Sequence, residues 1–496
     1  YDWLRQREPR WARLAIVHRL DKETSGVLVF GKTPLANRSL TQQFTAHTVR
    51  KRYWLLTDRP WAKAEFEADS VIVRVGERYV SRPRGATGAR ARTRFGLAGR
   101  TAEGWTEIQA QPVTGRTHQI RVQAAANGFP ILGDDLYGGG PHPRLCLHAG
   151  ELVLGHPATG HDLKLVAPVE FAADPVLALR QALIDPATTD VFRLVHGAAD
   201  GWPGWHLDRA GDFLLSQSAP ALAADQRRVL AGWLAALGLR GAYHKPLERQ
   251  VRGVAAGTGS PARVLGQGAP EPLIVRENGL RFELRFTEGY SVGLFFDQRD
   301  NRRRLLRNHL DADMPLFKSG LTGRTVLNAF AYTCGFSVCA ARAGARVTSL
   351  DLSGKYLEWG RRNFALNDLD AAAHEFRRGD VFDWLRRWAK RGQRFDAVLL
   401  DPPTFSRSRA HGVFRAEQDY GELVTAALPV LEPGGILFAS TNALRLSADA
   451  FVHRIAGAIR AGGRSVEAFH YAPQPPDFPI TRAMPAHLKT GWWRVD

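Results

Sequence analysis

The sequence predicts a multidomain protein: a mainly antiparallel α+β domain, a small α+β domain, and an α/β domain of Rossmann-like topology. Three observations carry this. The length of 496 residues suits roughly three domains at about 150 residues each. Short alternating apolar runs broken by Gly and Pro fill the first third of the chain, as antiparallel strands require. From about residue 290, strand-like and helix-like segments alternate, which implies βαβ units and a parallel sheet covered on both faces. The expected domains are 1–175, 186–285 and 286–496.

In chain order, LAIV, GVLVF, RYWLL, WTEIQAQPV and HQIRVQAAANGFPILGD are the strand-like runs of the first domain. Between them, SRPRGATGARAR reads as a loop, either touching phosphates or simply exposed. A Pro-bearing stretch around 168–190 reads as a linker. The second domain holds FRLVHGAADGWPGWHLDRAGDFLLSQS, two strand-like runs around a Gly/Pro/Trp turn. The helix AADQRRVLAGWLAALG follows, then strands in GAYHKPLERQVRGV and LIVRENGLRFELRFTEG. In the third domain RTVLNAF, RVTSLDL, RFDAVLLD and ILFAST are strands. FSVCAARAG, KYLEWGRRNFALN and ELVTAALPVLEPGG are helices. No internal repeat or low-complexity tract is present.

Hydrophobic content of 44% and charged content of 23% are ordinary for a folded protein. No stretch approaches the roughly 18 apolar residues of a membrane helix, and the first residues lack a signal-peptide pattern. Tyr1 stands where an initiator Met belongs, so a truncated or processed N-terminus is expected. Cys146, Cys334 and Cys339 are too few for a disulfide framework and form no C-x-x-C pair. They read as reduced thiols of a cytoplasmic protein without structural zinc. A net charge of +18 points to a polyanionic partner. The first sixty residues carry twelve Lys or Arg against five Asp or Glu, without a block of five like charges, so no basic tail is expected.

Two places carry chemistry. In HRLDKETSGVLVF, Asp21 precedes a Thr-Ser-Gly turn and an apolar run, so its carboxylate belongs at a strand edge, open to a cleft. GRTHQIRV follows about ninety residues later. A nearby Arg keeps a carboxylate ionised, so Asp21 and Arg116 read as a nucleophile and its electrostatic partner, or as an ordinary ion pair. Further on, TVLNAF ends at the loop AYTCG, where an open parallel sheet receives a nucleotide-like ligand. Asp351 ends the next strand, about twenty residues on, a spacing that suits ribose hydroxyls. Asp380 follows the third strand and suits an adenine amino group. Asp401 ends the fourth in DPPTF. Pro402 and Pro403 stiffen the backbone and leave carbonyls for a base amine; Phe405 offers a ring to stack on the base.

HRLD-x-x-TSG, GRTHQIR and GFPILGDDLYG together resemble the RluA-type pseudouridine synthases over about residues 1–170. The resemblance implies that Asp21 is the nucleophile, Arg116 its partner, and Tyr53 the ring packed on uracil, with no cofactor. His118 is expected to make a structural hydrogen bond. The family's Asn-Lys-Pro-like segment upstream of HRLD has no room in the twenty residues before Asp21, so part of the catalytic sheet is expected to be missing.

Residues 186–496 resemble the RlmI/RlmK-type methyltransferases of large-subunit ribosomal RNA, through GLFFDQRDNR, LNAFAYTCGFSV, DLSGKYLEWGRRNFALN and LLDPPTFSRS. This implies an S-adenosylmethionine pocket lined by Asn328, Phe330, Tyr332, Gly335, Asp351, Asp380 and Asp401, with Asp297 and Arg299 closing over it. Cys334 replaces the family's Gly, a change expected to be tolerated. Carbon-5 methylation of cytosine needs a thiolate, and DPPTFSRS and ASTN contain none. A guanine nitrogen is the preferred target. The leading reading is therefore a bifunctional enzyme acting on ribosomal RNA. The alternatives are a methyltransferase whose synthase domain only binds RNA, cytosine carbon-5 methylation, or an assembly factor with both sites vestigial.

Overall fold

The computed structural model describes residues 2–7, 11, 13–61, 65–171, 174–219, 221–247, 260–288, 291–311, 314–408 and 412–496. The chain forms two compact units, one of residues 13–178 and one of residues 2–12 together with 179–496.

The first unit is built on an eight-stranded sheet. Its order is Asp162–Val166, Leu147–Gly155, Arg50–Thr57, Thr106–Pro112, Ala89–Arg100, Glu65–Val75 and Arg78–Arg82, every neighbour antiparallel. Alternation sends Leu55, Phe95, Ile108 and Ala110 into the core. The eighth strand, Ser25–Gly26, runs parallel to His148–Ala149. Gly26 has φ +122°, and a Cβ there would stand 2.2 Å from the Ala149 carbonyl oxygen. The glycine of the TSG turn is thus what lets this strand lie against its neighbour and hold Asp21 in place.

HQIRVQAAAN, expected as strand, begins the helix Gln119–Ala126. The helix is buried nearly all round, so its apolar residues show no 3.6-residue stripe. Its polar side chains are satisfied: Gln123 Nε2 donates to the Ala91 carbonyl at 3.0 Å and Gln119 Nε2 to the Arg92 carbonyl at 2.9 Å.

The second unit opens with a mixed sheet ordered Val191–His196, Trp205–Ala210, Phe213–Ser218, Gly241–Pro246 and Ala262–Gly266, with the helix Ala224–Ala236 crossing between the third and fourth strands. Three strands, rather than two, occupy the Gly/Pro/Trp segment. The expected linker contains the helix Pro175–Leu183. The end of GAYHKPLERQVRGV lies outside the described residues. The hairpin Leu273–Glu277 and Leu280–Leu284 leads into a seven-stranded sheet. Its order is Glu375–Arg378, Arg346–Asp351, Thr325–Ala329, Phe395–Leu400, Leu431–Thr441, Lys489–Val495 and Val466–Tyr471; the first five are parallel. The residues LEPGG, expected to end a helix, begin the strand Leu431–Thr441. Side chains cap the helices that return between these strands: Ser353 accepts from Tyr356 N at 3.3 Å and Asp380 from Asp383 N at 3.1 Å, each cap contributing about 1 kcal/mol.

No compact boundary falls at 285. One core cluster runs from Val191 and Phe213 through Leu273 and Phe282 to Val326 and Phe438. Residues 2–12 depart from the expected first domain because the helix Asp2–Arg7 is bound to the second unit: Trp3 Nε1 donates to Asp300 at 2.8 Å, and His309 Nε2 lies 2.9 Å from the Arg5 carbonyl.

That anchor is the helix Arg299–Arg307, in which Arg299, Asp300, Asn301, Arg302, Arg303 and Arg304 are all buried. Arg302 grips Glu277 with two bonds of 2.7 Å, and Arg299 reaches Asp477 at 2.9 Å. A buried charge survives only when paired. Asp477→Ala removes both close hydrogen bonds to the Arg299 guanidinium, leaving it only Asp300 at 3.8 Å, and is expected to cost about 3–5 kcal/mol, read as a lower urea midpoint. A loss below about 1 kcal/mol would show that the pair is not structural.

Candidate functional site

In the second unit a cleft of about 300 Å³ opens at the carboxyl ends of the parallel strands, within the usual range for ligand pockets. Thr325–Ala329 lies between Arg346–Asp351 and Phe395–Leu400, so the strand order reverses there and the three loops diverge around a crevice. Phe330, Tyr332, Gly335, Asp351, Asp380 and Asp401 line it, together with Asp297 and Pro402 and Pro403 of DPPTF.

The loop after the first strand is strained. Phe330, Tyr332 and Cys334 have φ of 60°, 49° and 65°, each costing about 1 kcal/mol or more in a residue with a side chain. Packing holds it there. Tyr332 N donates to Asp351 Oδ2 at 2.9 Å, and Asn363 Nδ2 donates to the Thr333 carbonyl at 2.9 Å. The strain carries the loop back across the cleft floor and opens the first turn of the helix Gly335–Arg342 toward it. Cys334 fits in place of Gly because Gly360 faces it: a Cβ on Gly360 would stand 2.3 Å from Cys334 Sγ.

Asp351 also accepts from Ser353 N at 2.8 Å; burial nonetheless pushes its pKa up. Burial raises Asp401 to about 6, reinforced by the Asp297 charge and partly offset by hydrogen bonds from Ser440 and Gln298. Asp297 moves the other way: burial would raise it, but the hydrogen bond from His487 at 3.0 Å and that ring's charge hold it low. The rings of Phe295 and Tyr332 are 5.4 Å apart, and those of Tyr332 and Tyr356 are 4.6 Å apart, forming an aromatic wall. Carboxylates for hydroxyl and amino groups, aromatic faces for a purine, and acidic residues beside a cation make up the donor set of S-adenosylmethionine.

Three expected residues are elsewhere. Asn328 is buried beneath the sheet, donating to Ser337 Oγ at 2.8 Å, because strand alternation puts it on the helix side. Arg299 is held inside by Asp477 and does not line the cleft. Phe405 lies on the outer side of a hairpin, 49% exposed, while its neighbours Thr404 and Ser406 line the cleft. Gln298, Arg302 and Tyr356 do line the cleft without having been singled out. Gln298 Nε2 bridges Asp401 at 3.2 Å and Ser440 Oγ at 2.7 Å. Its place inside the FDQRDNR motif was the available signal.

In the first unit Asp21 sits at the turn before Ser25–Gly26, half-buried, its carbonyl accepting from Thr24 N at 3.0 Å. Tyr53 shares its field: burial and the Asp21 charge push the phenol up to about 12. Arg116 does not pair with Asp21. It is exposed, and its Nε donates to the Arg90 carbonyl at 3.1 Å. The buried arginine of the motif is Arg121, which makes two 2.8 Å bonds to Asp134. Burial alone would lower its pKa, but Asp134, Glu23 and Asp21 raise it. Arg121 lies on the helix Gln119–Ala126 and Arg116 in the loop before it, a difference that a strand reading conceals. His118 makes a structural hydrogen bond, 2.8 Å to Tyr137 Oη.

Fold and cleft together define a class I S-adenosylmethionine-dependent methyltransferase preceded by a pseudouridine-synthase-like unit. The family model of S-adenosylmethionine-dependent methyltransferases matches residues 257–491, and that of RNA pseudouridylate synthases matches residues 4–126. A ribosomal RNA large subunit methyltransferase of Deinococcus radiodurans is 36% identical over 333 residues, covering 65% of this chain and 78% of that protein. Ribosomal RNA large subunit methyltransferase I of Cronobacter sakazakii is 33% identical, covering 60% and 72%. A methyltransferase solved in complex with SAH superposes with a TM-score of 0.55 at 25% identity, covering 69% of this chain and 87% of that one. The chain belongs to the RlmI-type family of large-subunit ribosomal RNA methyltransferases and carries a pseudouridylate synthase domain ahead of the methyltransferase. Its cofactor is S-adenosylmethionine.

The Cys334–Gly360 contact generates a test. Gly360→Ala is expected to lower the melting temperature by several degrees, as an overpacked core does. Adding Cys334→Gly is expected to restore most of it. Strict additivity of the two changes would contradict the contact.

Proposed function

We propose that the protein is a bifunctional RNA-modification enzyme, isomerising uridine to pseudouridine and methylating a base, at a guanine nitrogen, in large-subunit ribosomal RNA. The observation that carries the methyl-transfer half is the cleft itself, where DPPT meets three carboxylates at the strand ends.

S-adenosylmethionine supplies an electrophilic methyl group on a sulfonium. The protein's part is positioning and electrostatics. Asp351 holds ribose hydroxyls, Asp380 the adenine amino group, and Gly335 leaves the helix start open. Asp401, fixed by Gln298 and Ser440, accepts a hydrogen bond from a guanine N–H while the Pro402 and Pro403 segment braces the base. The nitrogen attacks with its own electron pair as its proton passes to the Asp401 carboxylate, so no covalent nucleophile is needed. Carbon-5 methylation of cytosine would need one. The chain has three cysteines, all buried and none lining the cleft. Burial pushes the Cys334 thiol up to about 12 and Cys339 higher than its ordinary value, which favours the nitrogen reading.

In the first unit Asp21 is the nucleophile for the uridine, with Tyr53 within reach of its charge and Arg121 supplying the positive field that the resemblance had given to Arg116. The uridine must leave its stack to reach Asp21. The basic surface, +18 overall, favours RNA.

Asp21→Asn is expected to abolish tritium release from uracil-labelled RNA while methylation continues. Retained tritium release would remove Asp21 from the chemistry. For Asp401, kcat/KM of methyl transfer is expected to rise with pH through about 6 and then level. The stability sign is opposite. Its folded pKa lies above the ordinary 3.8, so folding disfavours the ionised form, and the penalty grows from about pH 4 to pH 6 and persists above. Asp401→Asn is thus expected to abolish methyl transfer yet raise the melting temperature at pH 8. An unchanged or lower melting temperature would contradict the burial assigned to this carboxylate.

A further inference from the structure

The DPPTF segment continues into the hairpin Phe405–Ser408 and Gly412–Arg415, with Phe405 opposite Arg415, Ser406 opposite Phe414, and Arg407 opposite Val413. Alternation divides its side chains between two faces. Ser406 and Phe414 line the cleft. Phe405, Arg407, Val413 and Arg415 point away; Phe405 is 49% and Val413 38% exposed. On that outer face the Arg415 guanidinium lies 6.0 Å from the Phe405 ring centroid. Neither Arg407 nor Arg415 forms an ion pair among the described residues.

We propose that the outer face of this hairpin binds the single-stranded RNA immediately flanking the target nucleotide, a neighbouring base stacking on Phe405 and backbone phosphates meeting Arg407 and Arg415. The occupant follows from chemistry and place. An exposed aromatic ring beside one guanidinium, with a second two residues along the same strand face and neither ion-paired to a carboxylate among the described residues, suits a base and its phosphates. The face is one strand thickness from the cleft wall, so a nucleotide that enters the cleft drags its neighbour across it. A protein partner would call for acidic groups and a broader apolar patch than Phe405 and Val413 make. The reading refines the base stacking expected of Phe405: the ring serves the nucleotide beside the target, outside the methyl-transfer cleft. It rests on RNA being the methyl acceptor.

The test uses the full-length protein, a large-subunit ribosomal RNA transcript that the wild type methylates, fluorescence anisotropy for RNA binding, and calorimetry for S-adenosylmethionine. Phe405→Ala is expected to weaken RNA binding about tenfold, with Phe405→Tyr restoring it. Arg407→Ala with Arg415→Ala is expected to reduce the salt dependence of binding by roughly 0.7 per lost phosphate contact. Cofactor affinity is expected to stay at the wild-type value in all three. If all three variants bind RNA as the wild type does, the hairpin proposal falls while the RNA reading stands. If Phe405→Ala loses cofactor affinity as well, the ring belongs to the cleft and the proposal is likewise overturned. Failure of the wild type to methylate any ribosomal RNA transcript would overturn the acceptor reading, and the hairpin proposal with it.

Discussion

Four buried guanidinium groups on one short helix set the constraint around which the second unit is organised. Arg299, Arg302, Arg303 and Arg304 lie inside within two turns, and each must find an acceptor. The acceptors come from distant parts of the chain: Asp477 before the last strand, Glu277 in the hairpin, Asn278 at 3.1 Å, and Gln6 at 3.2 Å. The Trp492 Nε1 bond to Asn301 at 3.2 Å adds the final strand. Such pairs are weak evidence for net stability, because desolvation offsets much of the attraction. Their consequence here is geometric. They fix the turn before the helix, and that turn presents Asp297 and Gln298 to the cleft at the strand ends.

The same network explains why residues 2–12 belong with the unit that follows residue 178 rather than with the unit that begins at residue 13. Nothing in YDWLRQR announces this. The segment is polar and short, and its partners lie almost 300 positions away, with Trp3 on Asp300 and Gln6 on Arg304. The alternating α/β half was readable because its central strands are apolar runs between Gly- and Pro-bearing turns, although the helices Val381–Lys390 and Ala448–Ala461, capped by Asp380 and Ser447, were not read from the sequence. Gln119–Ala126 was not, because burial on all sides removes the stripe that distinguishes helix from strand.

The cleft shows a similar division. Acidic residues at strand ends were readable because a parallel sheet places its loops at one edge, and Asp351, Asp380 and Asp401 meet there. Which way a side chain points depends on register. Asn328 and Phe405 fall on the far side of their strands for that reason alone, and Arg121 is buried because it lies on the helix Gln119–Ala126, whereas Arg116 precedes that helix in an exposed loop. Gln298 and His487 hydrogen-bond Asp401 and Asp297; the first sits inside a readable motif, whereas the His487 contact spans 190 residues and leaves no local mark.

The central claim is that one chain carries two independent base chemistries, and that the methylation is directed at nitrogen without a covalent nucleophile. Its most direct test is mass spectrometry of nucleosides from unmodified large-subunit ribosomal RNA incubated with purified protein and methyl-deuterated S-adenosylmethionine. The account predicts a deuterated methylguanosine together with new pseudouridine. A deuterated 5-methylcytidine, or a methylated product with no pseudouridine formed on any such RNA, would contradict it.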